Sequence, residues 1–416
     1  MEKHWATYPV MSCTINVTEA CNLACKYCFT WGKTKRKLSW EVGKRAIDFM
    51  YERRDPNAHH YEISFWGGEP LLEFGMIQRL IDYAEKKFGS KVVFGGTTNG
   101  VLLDQYKLEY LRDHRAKMMI SLDGTKEYHD KYRVFPDGRG SWDYINIPLI
   151  LKIWPDARFR ISLIREMVPR FSDICIELYE KYKINWLAFS PVYEQDWTDE
   201  DFEILGEHFQ RLREYLATHP GKFCHHVSDP GRGIWQDYPC GAGRSYIGIG
   251  VDGKIYPCHR FEKFGEENKE EREEWCIGDI WNGFNEKRQP FLDYPKIRRK
   301  QCVEEKNCRY YPFCAGGCYA VIKDLSPERS IFGFLDKLCN YTEALFRGLP
   351  DPVAQRKLRL VRDVGKPCVC YNCCYEEGTD HEIFYRDRSS DISCVCYNTR
   401  YGGVVNPQFR RLIIAD

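Results

Sequence analysis

Apolar, β-branched runs alternate with longer amphipathic stretches through the first half of the chain. The short runs fall at CTINVT (13–18), YEISFW (61–66), KVVFGGTT (91–98), KMMISL (117–122), RFRISLI (158–164) and INWLAFS (184–190). Their length and residue types predict strands. Between them, apolar positions recur at helical spacing over 39–53, 71–88, 104–113, 141–153 and 171–182, with a further helix over 198–217. Strands alternating with helices predict a parallel sheet with crossover connections. Six such units fit a partial (β/α)6 barrel in an α/β fold better than a complete eight-unit one. Past residue 220 the periodic runs give way to glycine, proline, cysteine and charge, until DKLCNYTEALFRGL (336–349) again has helical spacing. The expected division is a barrel over 1–220, a small domain over 221–349 organised around metal, and a tail over 350–416.

Charge narrows the class. Lysine plus arginine number 61 against 60 acidic residues, a balance that predicts no nucleic-acid partner and no anionic-membrane partner. The N-terminus MEKHWATYPVMSCTINV has no apolar signal segment, and no run approaches the roughly 18 apolar residues that span a bilayer. The expectation is a cytoplasmic protein. In a reducing compartment, 20 cysteines argue for metal ligation rather than disulfides. Most of them gather at 21–28, 240–258, 302–318 and 368–396. Cys13 and Cys175 lie inside a strand and a helix pattern and are expected to act as small apolar groups. Cys224, beside His225 and His226, is expected on a surface loop.

TEACNLACKYCFTW (18–31) places three cysteines on a loop directly after the first strand, where active sites of parallel barrels gather. Four thiolates ordinarily hold a four-iron cubane, so three leave one iron open. On spacing alone a structural zinc site borrowing a distant ligand, or three incidental thiols, are equal alternatives.

The stretch resembles the radical S-adenosylmethionine (radical SAM) enzymes, whose signature is this cysteine spacing with an aromatic residue before the third cysteine, here Tyr27. The resemblance implies a [4Fe–4S] cluster on Cys21, Cys25 and Cys28, with S-adenosylmethionine chelating the open iron. Its reductive cleavage gives a 5′-deoxyadenosyl radical that abstracts hydrogen. FWGGEP (65–70) is similar to the family's glycine-rich turn that bonds the methionine amino group, TTNG (97–100) ends the third strand, and SLDGTKEYHDKYRVFPDGRGSW (121–142) resembles a stretch of peptide- and protein-modifying members. The implied cofactor-binding positions are Tyr27, Gly67, Gly68, Glu69, Asn99, Ser121, Asp123 and Arg133. Arginine suits a carboxylate because its guanidinium is a planar, bidentate fork.

Residues 240–339 resemble the SPASM domain, an iron–sulfur extension of many radical SAM maturases that carries two auxiliary [4Fe–4S] clusters. The resemblance implies an outer cluster on Cys302, Cys308, Cys314 and Cys339, and an inner one on Cys240, Cys258 and Cys318. The inner cluster's fourth position falls to Cys276 or stays open for a substrate thiolate. Two departures stand out. Glu305 occupies the usual cysteine position before Cys308, so Cys302 must reach across a longer loop. His259, the acid/base candidate, stands where sulfatase-maturing relatives carry an aspartate. A zinc-ribbon-like structural domain is the alternative for these cysteines.

The tail holds Cys368, Cys370, Cys373, Cys374, Cys394 and Cys396, which fit a further metal site, a disulfide relay or a loosely ordered appendage. Only 20 residues precede Cys21, too few for the leader-binding module of about 80 residues, a small domain, that many relatives carry there. A leader-bearing substrate would then be recognised by a separate leader-binding protein, the tail or the barrel.

The expected activity is oxidative modification of a peptide or protein side chain, by a crosslink such as a thioether or by dehydrogenation. A reducing electron donor of flavodoxin or ferredoxin type would drive it. Formylglycine formation on a sulfatase, modification of a small molecule, and a non-catalytic iron–sulfur electron-transfer or metal-binding scaffold are the alternatives. Three cubanes require about twelve irons per chain. Anaerobic reconstitution followed by iron and sulfide assay is expected to reach that number, and a chain saturating at about four would remove the auxiliary clusters.

Overall fold

The computed structural model describes residues 4–30, 32–219, 227 and 240–349. The tail cysteines Cys368 to Cys396 and the Cys224–His225–His226 triplet lie outside the described residues. The six expected strands are β1 (Ser12–Thr18), β2 (Tyr61–Gly67), β3 (Val92–Thr98), β4 (Ala116–Ser121), β5 (Arg158–Leu163) and β6 (Leu187–Pro191). They lie side by side in chain order, each pair parallel. After a short turn of helix, α1 (His4–Thr7), the crossovers carry α2 (Trp40–Glu52), α3 (Phe74–Phe88), α4 (Gln105–Asp113), α5 (Lys126–Tyr132), α6 (Ile147–Ile153) and α7 (Phe171–Tyr182), and α8 (Asp199–Thr218) follows β6.

Period-two alternation decides what each strand offers to either side. On β1, Cys13, Ile15 and Val17 are buried, and the Cys13 thiol meets the Met50 sulfur of α2 at 3.3 Å. On β5, Phe159, Ile161 and Leu163 are fully buried while Arg160 is exposed and Ser162 partly so. The apolar positions therefore pack under the helices, and the alternate positions form a polar inner face.

Two expected helices begin later than their apolar pattern. The segment before α3 is a 3-10 turn, Pro70–Glu73, capped by the Glu69 side chain. The segment before α6 holds a 3-10 turn, Trp142–Tyr144, and Asn146 then caps the helix through Leu149 N. Helix α5, KEYHDKY, has too few apolar positions to show periodicity.

The sheet does not stop at β1. Strand β7 (Tyr246–Ile249) pairs with β1 in parallel, and β8 (Lys254–Tyr256), β9 (Gly278–Asp279) and β10 (Gly283–Phe284) extend it antiparallel into a ten-stranded sheet ordered β10-β9-β8-β7-β1-β2-β3-β4-β5-β6. The apolar core continues as well, from Ile15 through Ile247, Ile255 and Phe261. Helices α9 (Gln289–Arg299), α10 (Tyr319–Leu325) and α11 (Asp336–Phe346) complete the second half. Helix α11 lies on α8, where Asn340 donates to Asp199 at 2.7 Å and Arg213 to Leu345 O at 3.2 Å. Arg288 is wholly buried and donates to the carbonyls of Trp5 (2.9 Å), Tyr8 (3.0 Å), Gly243 (2.9 Å) and Arg244 (2.6 Å), fastening the N-terminal segment to the chain entering β7. Among the described residues no helix is long and apolar enough to cross a membrane.

At the seam, Asn16 of β1 donates to Glu262 at 2.8 Å, while Arg36 bridges Glu19 and Asp252 at 3.1 Å each. Burial first, then Asp252 and Glu19, pushes the Glu262 carboxyl up to about 8, against the opposing pull of Asn16 and Arg36. A carboxyl whose pKa rises on folding gives stability that is full below the unfolded value of 4.5 and is lost as pH climbs through about 8. Glu262→Gln is therefore expected to remove several kcal/mol of pH dependence between those two values, at about 1.4 kcal/mol per pKa unit, measured by anaerobic unfolding of the loaded chain across that range.

Candidate cofactor and cluster sites

The loop leaving β1 carries Cys21, Cys25 and Cys28, and its backbone is pinned from the far side of the barrel mouth. Ala24 N donates to Val134 O at 2.7 Å and Lys26 N to Tyr132 O at 3.0 Å. Burial pushes the Cys21 thiol up to about 11 and raises Cys25 as well, with each also feeling another thiol of the set. Lys33 faces all three: burial disfavours its charge, but Cys28, Cys21 and Cys25 outweigh that and raise its pKa, and its Nζ donates to Leu23 O at 3.2 Å. Among the described residues no three His, Cys, Asp or Glu side chains converge as they would on one metal ion. Spread thiols facing one ammonium suit an anionic, many-atom iron–sulfur group better than a single zinc.

The GGEP turn lies flush beneath this loop. Gly68 N donates to Thr18 O and Glu69 N to Ala20 O, both at 2.9 Å. A Cβ at Gly67 would fall 2.1 Å from Thr18 O, and one at Gly68 2.2 Å from Ala20 O, so only glycine permits the approach. Glu69 turns inward and accepts from Leu71 N (3.1 Å), the Thr98 hydroxyl (2.7 Å) and Asn99 N (2.7 Å). Burial pushes its carboxyl up to about 7 against those three donors, which favour the carboxylate. Asn99 then donates to Asn22 at 2.7 Å, joining the end of β3 to the cysteine loop.

Asp123, fully buried after β4, is the hub on the opposite side. It accepts from Arg133 Nε (2.8 Å) and Nη2 (3.4 Å), from Ser162 N (2.8 Å) and from the Tyr27 hydroxyl. Arg133 also donates to Ser162 Oγ at 3.3 Å, and Ser121 lies at the end of β4 beside Arg160 of β5. Tyr27, Asp123 and Arg133 are thus one contact group, while Glu69, Asn99 and the glycines form another under the same loop. His129 was not singled out by sequence. Asp123 N donates to its Nδ1 at 3.2 Å, so its Nε2 carries the proton and donates to Ser141 Oγ at 2.9 Å, whose hydroxyl donates to Arg133 O at 2.8 Å. Burial, then Arg133, holds this imidazole far below its usual pKa. Its signal in the sequence is spacing, since four residues before Arg133 is one helical turn.

In the second half the thiols sort into two groups. Cys302 and Cys339 each interact with Cys308 and Cys314. Cys240 interacts with Cys258 and Cys318, and Cys258 with Cys318. The chain after α9 widens into a π-type turn, Lys300–Glu305, which carries Cys302, and Cys308 N closes on Cys302 O at 2.7 Å. This turn spans the long loop created where Glu305 replaces a cysteine. Between Cys314 and Cys318, Ala315, Gly316 and Gly317 all have positive φ (48°, 94° and 86°), and the reversal sends neighbouring cysteines to different groups. Cys276 stands apart: its thiol donates to Gly278 O at 3.2 Å, and its main charged neighbours are Lys254 and Glu273. His259 pairs with Tyr246 OH at 2.8 Å, which pairs with Thr14 of β1 at 2.7 Å, and packs between Trp66 and Phe29. Burial, then Arg260 and Arg160, pushes it down to about 3, so the ring is neutral.

Residues 15–145 match the radical SAM superfamily, and the chain carries a radical SAM domain. That domain implies S-adenosylmethionine and a [4Fe–4S] cluster. An uncharacterized protein of Methanocaldococcus jannaschii is 30% identical over 128 residues, covering 30% of this chain and 43% of that protein, less than half its length. The cysteine-type anaerobic sulfatase-maturating enzyme of Clostridium novyi (strain NT) is 24% identical over 345 residues, 72% of this chain and 84% of that enzyme. Among solved structures, native anSMEcpe with bound AdoMet and Cp18Cys peptide shares the fold at a TM-score of 0.67 and 18% identity, over 86% of this chain and 100% of that one.

Because a side chain at position 68 must push the loop backbone aside, Gly68→Ala is expected to cut reductive S-adenosylmethionine cleavage by about 100-fold, the scale of a one-ångström misplacement. Quantifying 5′-deoxyadenosine under dithionite checks this; an unchanged yield would separate the turn from the cofactor.

Proposed function

We propose that the chain is a radical SAM maturase that oxidatively modifies a peptide or protein side chain, by a crosslink such as a thioether or by dehydrogenation. The observation that carries this reading is that the second half of the chain gathers two further thiol groups, Cys302, Cys308, Cys314 and Cys339, and Cys240, Cys258 and Cys318, on the same continuous sheet and core as the cysteine loop. A scaffold or simple electron carrier has no use for the buried GGEP and Asp123 contacts that brace that loop.

In this reading Cys21, Cys25 and Cys28 hold the radical-generating cluster, with Lys33 as counter-charge. When bound there, the cluster and S-adenosylmethionine supply a 5′-deoxyadenosyl radical for hydrogen abstraction. Gly67 and Gly68 let the turn close on the cysteine loop, leaving its backbone carbonyls to accept from the cofactor's amino group, and Glu69 and Asn99 brace that turn against β3. Asp123, anchored by Tyr27 and Ser162, orients Arg133 towards the cofactor's methionine end, and Ser121 at the end of β4 is the second contact there. His129, through Ser141, keeps the Arg133 backbone in place.

Cys302, Cys308, Cys314 and Cys339 hold the outer auxiliary cluster, and Cys339, exposed on α11, suits electron exchange with a flavodoxin- or ferredoxin-like donor in the cytoplasm. Cys240, Cys258 and Cys318 hold the inner one. The separation of Cys276 from that trio favours an inner fourth position served by another group, a substrate thiolate being the fitting one.

Formylglycine formation is the second reading, favoured by the match to a sulfatase-maturating enzyme over most of the chain. Against it stands His259, whose depressed basicity makes it a weak proton acceptor. The loaded chain, reduced with S-adenosylmethionine and a candidate peptide, is expected to give 5′-deoxyadenosine and a product lacking two hydrogens. Loss of sulfur as well would move the assignment to formylglycine, and no 5′-deoxyadenosine at all would remove the enzyme reading.

A further inference from the structure

Arg160 is an exposed cation on an interior strand. Its neighbours Phe159 and Ile161 are fully buried under the helices, so its own side chain belongs to the inner face of the barrel. There Nη2 donates to Ser190 Oγ of β6 at 2.7 Å, and among the described residues the guanidinium has no carboxylate partner. By contrast, Arg133 is neutralised by Asp123 at 2.8 Å, Lys117 by Asp156 at 2.8 Å and Arg260 by Glu194 at 2.6 Å.

Its position divides the labour with Arg133. Arg160 pairs in register with Ser121, but its charge bears on His259 and on Tyr193, whose other charged neighbours include Cys314 and Cys318. The charge of Arg133 bears on Cys25 and Glu69 instead. Arg160 therefore has Ser121 of β4 on one side and His259 and Tyr193 within electrostatic reach on the other.

An open guanidinium keeps its water. Covered by a bound peptide it loses that water, and a neutral serine hydroxyl is a poor replacement for a counter-charge. A carboxylate matches the fork in a bidentate pair, whereas a lysine or arginine brought to the same place adds repulsion to the lost hydration. Resting on the peptide-modifying reading, we propose that Arg160 recognises a substrate carboxylate, from an aspartate, a glutamate or the chain terminus, lying beside the residue that is modified. The substrate class is thus an acidic peptide segment, and the barrel selects against basic ones.

The test uses the fully loaded chain with S-adenosylmethionine and two synthetic cysteine-containing peptides that differ only in carrying Asp–Glu or Lys–Arg beside the cysteine. Binding is read by fluorescence anisotropy. The acidic peptide is expected to bind the native chain at least about tenfold more tightly, the scale of one close charge pair. Arg160→Glu is expected to reverse that order, and Arg160→Lys to retain it. Charge-blind binding, preference for the basic peptide, or failure of both peptides to bind would overturn the proposal. So would loss of the S-adenosylmethionine-induced change in the cluster's electron paramagnetic resonance spectrum in Arg160→Glu, which would give the guanidinium to the cofactor. Native chain that makes 5′-deoxyadenosine but shows no charge preference defeats this inference alone; native chain that makes none defeats the peptide-modifying reading beneath it.

Discussion

The structure depends on β1 being hydrogen-bonded on both edges. One edge holds β2 and the rest of the parallel barrel sheet, and the other holds β7 and the antiparallel extension. Over Ser12–Ile15, where both edges are paired, the register is fixed, because a slip of one residue would exchange the strand's buried and inner faces. Everything chemical is referred to that fixed strand. The cysteine loop leaves its end, Thr14 reaches Tyr246 and through it His259, and Asn16 reaches Glu262. The distance between the two halves is therefore set by backbone hydrogen bonds.

The barrel mouth follows the same logic at smaller scale. Neither the GGEP turn nor the Asp123 group is rigid by itself, but each ties the cysteine loop to a different strand end. Two absent side chains, at Gly67 and Gly68, admit one contact. One buried carboxylate, Asp123, organises the other by gathering a phenol, a guanidinium and a backbone amide. Each of these donors would be costly to bury alone, and together they hold the loop from both sides.

Strands β1 to β6 were legible because their helix-facing positions are continuously apolar, and the cysteine clusters were legible because their spacing is local. The short strands β7 to β10 were not: β9 and β10 have two residues each, and their pairing comes from β8 and the turns around them. Helix α5 was hidden because most of its residues are polar and pair with neighbouring segments, Lys126 with Asp143 and Lys131 with Glu166, leaving only Tyr128 and His129 buried. Lys33, His129 and Arg160 carry no motif of their own. Their importance arises from what stands across from them, namely three thiols, Asp123 with Ser141, and Ser190. The separation of Cys276 from Cys240, Cys258 and Cys318 likewise depends on the path of β9, which no spacing rule encodes.

The turn at Ala315–Gly317 sends Cys314 and Cys318 to different thiol groups within a five-residue stretch, CAGGC. Under the proposed reading, whichever thiol group took up its cluster first would fix the turn from which the other group hangs, so the two loadings would be coupled through three backbone conformations.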